Sequence, residues 1–291
     1  MTAQALLVPR RSLLYMPGAN SRAMEKAQSL DCDTIIFDLE DAVAATAKSE
    51  ARSQVLAALT HNAYDHRELV VRCNGLDTPW GMDDLRCFAH ASIGALLFPK
   101  IESVAQIAEI KDALASHGSS LPLWIMIETP TAVLDLQHVA ADPHVTALVM
   151  GTSDLVKELR AQHTPSRDNL AYALQHCVLV ARHLGKEIFD GVHLDFRNLD
   201  SLRDACEAGR AMGFDGNTLI HPDQVPVAND VFGYSDDAVL KAQAILSAWQ
   251  SAVGQGKGVA ELDGQLIENL HAEEAERVVT FAQLLARREV T

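Results

Sequence analysis

The sequence predicts an α/β fold, a (β/α)₈ TIM barrel with a C-terminal helical extension, and three observations carry that prediction. Short apolar, β-branched runs recur eight times, and helical apolar spacing fills most of the intervals between them. The runs are near-continuously apolar, as expected of parallel strands covered on the outside by helices. Eight such units imply closure into a barrel. A doubly wound open sheet is the competing topology. It normally carries a Gly-rich dinucleotide turn after its first strand, and PGANSR at 17–22 is not GxGxxG.

The strands are read in order at 12–16 (SLLYM), 34–39 (TIIFDL), 68–73 (ELVVRC), 95–100 (ALLFPK), 123–128 (LWIMIE), 146–151 (TALVMG), 187–194 (EIFDGVHL) and 217–222 (NTLIHP). SRAMEKAQSL, SVAQIAEIKDAL and NLAYALQHCVLVARHLG show helical spacing between them. After the eighth strand the chain changes character. Residues 235–252 read as a helix, a Gly-rich stretch GQGKGVAELDGQ follows, and a last helix runs from about 271 to 288. The glycine stretch has no strand before it and no helix directly after it, so a hinge or hairpin is expected rather than a phosphate cradle. The expected division is a catalytic barrel over 1–234 and an extension over 235–291 that packs on a neighbouring subunit.

A length of 291 residues suits one such barrel, which runs to about 250 residues before extensions. Hydrophobic residues at 48% supply a large core. The net charge of −15 argues against nucleic acid and anionic membrane surfaces as partners, because both require clustered Lys and Arg. An anionic substrate would therefore need a metal or a few arginines to receive it. Cys32, Cys73, Cys87, Cys177 and Cys206 are odd in number and never spaced CxxC, the pattern of reduced thiols in a cytoplasmic protein. The N-terminal apolar run is too short for a signal core, and no stretch approaches the roughly 20 apolar residues of a membrane span.

In a barrel of this kind the chemistry sits at the C-terminal ends of the strands. There the sequence places Asp38, Glu40 and Asp41 after strand 2, Arg72 and Asn74 after strand 3, Lys100 after strand 4 and Glu128 after strand 5. Asp154 follows strand 6 in GTSDL, and His193, Asp195 and His221 lie near the ends of strands 7 and 8. Unpaired charge is costly to bury, so a metal, ion pairs or a polar ligand must compensate. Glu128 and Asp154 stand on adjacent strands and suit one Mg²⁺, which takes oxygen ligands and keeps several waters. The alternative is that both cap helices or pair with loop cations. His193 and His221 lack HxH or HExxH spacing and are expected to hydrogen-bond within loops. Arg72 suits a bidentate grip on a carboxylate, a buried ion pair with the strand-2 acids, or both. Lys100 is read as pairing with the acids rather than forming a Schiff base. Arg22 and Lys26, four apart on one helical face, can hold phosphates or be solvated.

These residues in this order resemble the citrate lyase β-subunit-like family of the HpcH/HpaI aldolase superfamily. The matching segments are SLLYMPG, IIFDLEDAV, VVRCNG, FPKIES, IETP, MGTSDL and GFDGNTLIHP, spanning nearly the whole chain. The resemblance implies Mg²⁺-dependent chemistry on acyl-CoA thioesters, with Glu128 and Asp154 as metal ligands. It implies that Arg72 orients substrate, with Glu40 and Asp41 of FDLEDAV beside it as catalytic acids. It further places Gly151 and Thr152 against a keto-acid carboxylate, and Pro17, Gly18, Arg22, Lys26 and Pro222 against CoA. Stand-alone CoA lyases of the family carry a C-terminal G-x-M-I-D acid donated by a neighbouring subunit, and here DGQLIENLH puts Glu268 in its place. One extra methylene moves that carboxylate by roughly an ångström, enough to change rates about 10²-fold.

Three activities follow from the resemblance. The first is a lyase cleaving malyl-, citramalyl- or citryl-CoA to acetyl-CoA and a keto acid through a thioester enolate. The second is an (S)-malyl-CoA thioesterase, the branch that the ENLH version resembles. The third is a citrate lyase β-subunit acting on a carrier-protein thioester. The family also implies a homotrimer or homohexamer.

Overall fold

The computed structural model describes residues 8–60 and 63–288, and the N-terminal apolar run lies almost wholly outside them. Among the described residues, eight parallel strands close into a barrel. They are β1 (Ser12–Pro17), β2 (Thr34–Asp38), β3 (Glu68–Arg72), β4 (Ala95–Phe98), β5 (Leu123–Ile127), β6 (Val145–Met150), β7 (Glu187–Asp190) and β8 (Gly216–Leu219). β8 returns to β1, with Leu14 opposite Leu219, and that pairing excludes the open sheet.

The period-2 alternation of each strand sorts its side chains into two cores. Leu13, Ile36, Val70, Leu97, Trp124, Val149 and Phe189 fill the barrel interior. Their neighbours Leu14, Ile35, Val71, Leu96, Ile125, Leu148 and Ile188 face outward, beneath the helices. Those helices are α1 (Ser21–Ala27), α2 (Lys48–Thr60), α3 (Gly81–Phe88), α4 (Val104–Ser116), α5 (Pro130–Val139), α6 (Thr152–Glu158), α7 (Ala171–Leu184), α8 (Leu199–Met212) and α9 (Val225–Phe232). At the N-terminal end of the barrel, Arg10 pairs with Glu68 and Glu187 and lies 5.4 Å over the Trp124 ring. Arg11 pairs with Asp33 at 2.9 Å. These committed charges close that end and leave the opposite one for ligand.

The last two strands stop sooner than their apolar runs suggest. β7 ends at Asp190 because Gly191 packs against α6, where a Cβ would fall 2.3 Å from Thr152 Oγ1. β8 ends at Leu219, and Ile220 to Pro222 turn into a short 3₁₀ segment, Pro222–Gln224.

Arg10–Phe232 forms one compact unit, and Gly233–Arg288, with Val8 and Pro9, forms another. The second unit contains α10 (Asp236–Gly254), a hairpin of β9 (Ala260–Leu262) and β10 (Gln265–Ile267), and α11 (Asn269–Arg288). α10 and α11 share a small core of Ala242, Ala275 and Val278. The hairpin turn is Asp263-Gly264, at φ 51° and 77°, the pair of left-handed residues that a tight two-residue turn requires. The glycine stretch is thus a hairpin.

Candidate active site

The inward residues at the C-terminal ends of the strands line a cavity of about 370 Å³. Glu128 follows β5 directly and is 2% exposed. It is not a helix cap. Thr129 Oγ1 accepts from Ala132 N and Pro130 opens α5, so the cap is already supplied and the Glu128 carboxylate is left to the cavity. Lys100 N donates to Glu128 Oε1 at 2.7 Å from a backbone at φ 51°, a left-handed conformation costing a non-glycine residue about 1 kcal/mol. On the other side stands Gly151, where a Cβ would fall 2.4 Å from the Glu128 Cβ. Asp154 lies in the first turn of α6 and lines the same cavity. The nearest ammonium to it, Lys157 Nζ, stands off at 4.0 Å.

Burial, reinforced by the nearby Asp154 charge, pushes the Glu128 carboxyl up to about 7, against the pull of the Lys100 N–H. Two carboxylates held together with their repulsion only partly relieved are a donor set suited to a hard cation. The donors are oxygens, and among the described residues no group of three or more His, Cys, Asp or Glu is placed to hold a metal. A cation here would take its remaining ligands from water and substrate, as Mg²⁺ commonly does. The residues fit that ion.

Arg72 ends β3, 7% exposed. Its Nε and Nη2 donate to both oxygens of Asp38, at 2.8 and 2.6 Å. Its Nη1 lies 2.9 Å from Glu40 Oε2 and 3.6 Å from Asp41 Oδ2. The Glu40 contact is an ion pair without hydrogen-bond alignment, for Glu40 Oε2 is buried and has no hydrogen-bond partner. Burial draws the guanidinium pKa down, but the Asp38 charge and hydrogen bonds outweigh it and the net direction is up. Burial dominates at Glu40 and lifts its carboxyl to about 8 despite Arg72. Lys100, whose ammonium faces Glu40, Asp154, Glu128 and Asp41, is held above its usual range although partial burial opposes this.

Three supports stand behind the site, and of these the sequence reading named only Asp38. Asp38 organises the β2 exit, accepting from Glu40 N and Ala42 N while it grips Arg72. Lys48 Nζ, on a 6% exposed residue, donates to the Leu39 and Glu40 carbonyls at 2.7 Å. Asp84, fully buried, accepts from the backbone and side chain of Asn74 and from Arg52 Nε, fixing the chain just past Arg72. Asp38 carried a signal, as an acid at a strand end. Lys48 and Asp84 sit inside helices and had none.

Of the expected site residues, Pro17, Asp41, Arg72, Glu128, Gly151, Thr152 and Asp154 line the cavity. Glu40 stands behind Arg72. Gly18 N donates to Asp38 O, and a Cβ on Gly18 would fall 2.9 Å from that oxygen. Arg22 and Lys26 are exposed on α1, and Pro222 opens the 3₁₀ turn after β8. His193 Nε2 pairs with Ser201 Oγ at 2.8 Å, and His221 accepts from Asp223 N while stacking on Phe196. Both histidines are loop residues, as expected. Glu268 lies in the C-terminal unit, exposed at the start of α11, where its carbonyl accepts from His271 N.

The model of the HpcH/HpaI aldolase/citrate lyase family matches residues 11–222. The chain belongs to that family. A (3S)-malyl-CoA thioesterase of Cereibacter sphaeroides is 45% identical over 97% of this chain and 95% of its own length. The citrate lyase subunit beta of Escherichia coli is 30% identical over 96% of this chain and 95% of its own length. Among solved structures, CitE of Mycobacterium tuberculosis in complex with magnesium, acetoacetate and coenzyme A aligns with a TM-score of 0.76. It is 26% identical and covers 94% of this chain and 97% of that one. Members of the family thus include enzymes named for a thioester hydrolysis and for a lyase reaction, and a structure holding magnesium and CoA.

Proposed function

We propose that this chain is a Mg²⁺-dependent acyl-CoA enzyme acting on malyl-CoA-type 3-hydroxydicarboxylic thioesters, and that its reaction is hydrolysis to the hydroxy acid and CoA. The observation that carries the Mg²⁺ and the site is the pairing of buried Glu128 with half-buried Asp154, both lining the cavity with Arg72 at the mouth of the barrel. End-to-end likeness to a (3S)-malyl-CoA thioesterase supports hydrolysis over carbon–carbon cleavage.

Glu128 and Asp154 would hold the cation, with the Lys100 N–H and the absent Cβ of Gly151 keeping the Glu128 carboxylate in place. Bound there, Mg²⁺ supplies positive charge that polarises a substrate carbonyl. Arg72, fixed by Asp38, presents its remaining N–H groups to a substrate oxygen. In hydrolysis a water oxygen bonds to the thioester carbon, the carbon–sulfur bond breaks and the departing sulfur takes a proton. Glu268, delivered by the extension of a neighbouring subunit, is the proposed base for that water. Pro17, Gly18, Arg22, Lys26 and Pro222 are proposed as CoA contacts, and Gly151 and Thr152 as contacts of the substrate carboxylate. The assembly proposed is a homotrimer or homohexamer. Unpaired cysteines support a reducing, cytoplasmic setting, and among the described residues no helix is long and apolar enough to cross a membrane.

Cleavage to acetyl-CoA and glyoxylate is the second reading. The likeness to a citrate lyase subunit beta favours it. One assay separates the two. With (S)-malyl-CoA and Mg²⁺, free thiol without glyoxylate supports hydrolysis, and glyoxylate without free thiol supports the lyase. Turnover of neither kind would overturn the proposal.

A further inference from the structure

The mouth of the barrel is rich in acceptors and short of donors. Asp38, Asp41, Glu128 and Asp154 line it, and Arg72 faces them from the end of β3. Three N–H groups of that guanidinium are already taken, two by Asp38 and one by Met126 Sδ at 3.7 Å. The hydroxyls of the lining are mostly committed as well. Thr218 Oγ1 donates to Asp190 O at 2.8 Å, Thr152 Oγ1 packs against Gly191, and Ser153 Oγ is sealed from solvent. Tyr15 differs from these. It shares the inward face of β1 with Leu13, packs its ring on the inner core and lines the cavity. Among the described residues its hydroxyl has no hydrogen-bond partner. The ring is also a platform for Arg72, whose Cζ lies 4.8 Å from its centroid.

That stacking puts a free phenol beside the guanidinium that the reaction needs. Burial, opposed by Arg72 and reinforced by Asp38, Glu128 and Glu40, raises the phenol pKa, so at neutral pH the hydroxyl is a donor with its proton in place. The acyl-CoA reading supplies an acceptor. In hydrolysis the thioester carbonyl oxygen gains negative charge as water adds to the carbon, and in carbon–carbon cleavage the same oxygen becomes that of the enolate. Donors placed there count for more in the transition state than in the ground state. We propose that Tyr15 is a further catalytic residue, whose hydroxyl donates alongside Arg72 to the thioester carbonyl oxygen as that oxygen gains charge. The phenol keeps its proton throughout, so no bond to hydrogen breaks at Tyr15. The amides of Gly151 and Thr152 are left to the substrate carboxylate. The inference rests on the functional reading above and holds for either reaction.

Tyr15→Phe isolates the hydroxyl, because it removes one oxygen and keeps the ring against Arg72 and the inner core. Steady-state turnover of (S)-malyl-CoA with Mg²⁺ is compared in the full-length parent and variant, with a melting curve on each. The expected result is an unchanged melting temperature, a KM within about threefold of the parent's and a kcat about 100-fold lower, the signature of a donor used only in the transition state. An inert thioether analogue of malyl-CoA, with CH₂ in place of the thioester carbonyl, gives a second readout. It lacks the oxygen assigned to Tyr15, so its calorimetric Kd should agree between parent and variant to within about threefold. A variant kcat within about threefold of the parent's overturns the inference, whether or not KM rises, since a raised KM alone marks a ground-state contact. Analogue binding weakened about tenfold or more also overturns it, by placing the hydroxyl on another part of the acyl group. A parent that shows no turnover of malyl-CoA overturns the functional reading instead, and this inference with it.

Discussion

A carboxyl buried beside another carboxyl favours its protonated form, and two residues of the mouth make that effect measurable. Glu128, lifted to about 7 chiefly by burial, must lose its proton before it can hold a cation. Mg²⁺ affinity should therefore fall about tenfold per pH unit below 7 and level off above it. Calorimetry from pH 5.5 to 8.5 checks this, and a flat profile would remove Glu128 from the ligand set. Glu128→Gln and Asp154→Asn should each abolish the Mg²⁺-induced rise in melting temperature and lower turnover at least 100-fold. Glu40 offers a separate test in the cation-free protein. Its folded pKa of about 8 lies above the ordinary 4.5, so the fold stabilises the neutral carboxyl. That contribution is complete below about pH 4.5 and is lost as pH rises through about 8. Glu40→Gln, permanently neutral, should thus gain stability relative to the parent as pH rises from 5 to 9, in EDTA. Equal melting temperatures across that range would show that Glu40 is not neutralised by burial.

At the scale of the element, strand exits do the positioning, and much of this was legible. Thr129-Pro130 is a helix start readable in IETP, and it frees Glu128 from the capping role that was its alternative explanation. Two features of the same turn region were not legible. Nothing in FPKI marks Lys100 as left-handed, because lysine rarely adopts that conformation and only the need to aim its N–H at Glu128 explains it. Gly151 is a glycine for space rather than for φ, a reason that exists only once β5 and β6 lie side by side. Gly151→Ala should cost about 1–3 kcal/mol by overpacking against Glu128 and weaken Mg²⁺ binding with it. Lys100→Gly, which accepts the same φ and keeps the N–H, should leave Mg²⁺ affinity nearly unchanged. Calorimetry on the pair checks this, and a loss in Lys100→Gly would move the role from the backbone to the ammonium.

For the whole molecule, the question is whether one chain makes a complete site. The barrel supplies Glu128, Asp154 and Arg72, whereas Glu268 belongs to the compact C-terminal unit. If a neighbour's extension delivers Glu268, then Glu128→Gln and Glu268→Ala, each inactive alone, should complement when refolded together. Random mixing in a symmetric ring would restore about a quarter of the sites. Activity no greater than that of the separate variants would show that each chain completes its own site or that Glu268 only begins α11. Light scattering on the same samples reports whether the assembly is a trimer or a hexamer.

By itself, the sequence determined the eight strands, the barrel class, the hairpin-or-hinge in the tail and the acids at the strand exits. These are local properties: a period of two, a proline after a capping threonine, and a polar residue where an apolar run stops all act within a few residues of chain. Tertiary structure alone decided which charges meet. Arg72 faces Asp38 because β2 and β3 pair in the register that sets Asp38 beside Arg72, and Asp84, on α3, reaches back to Asn74 at the exit of β3. Electrostatic partnership depends on distance through space, which sequence separation does not encode.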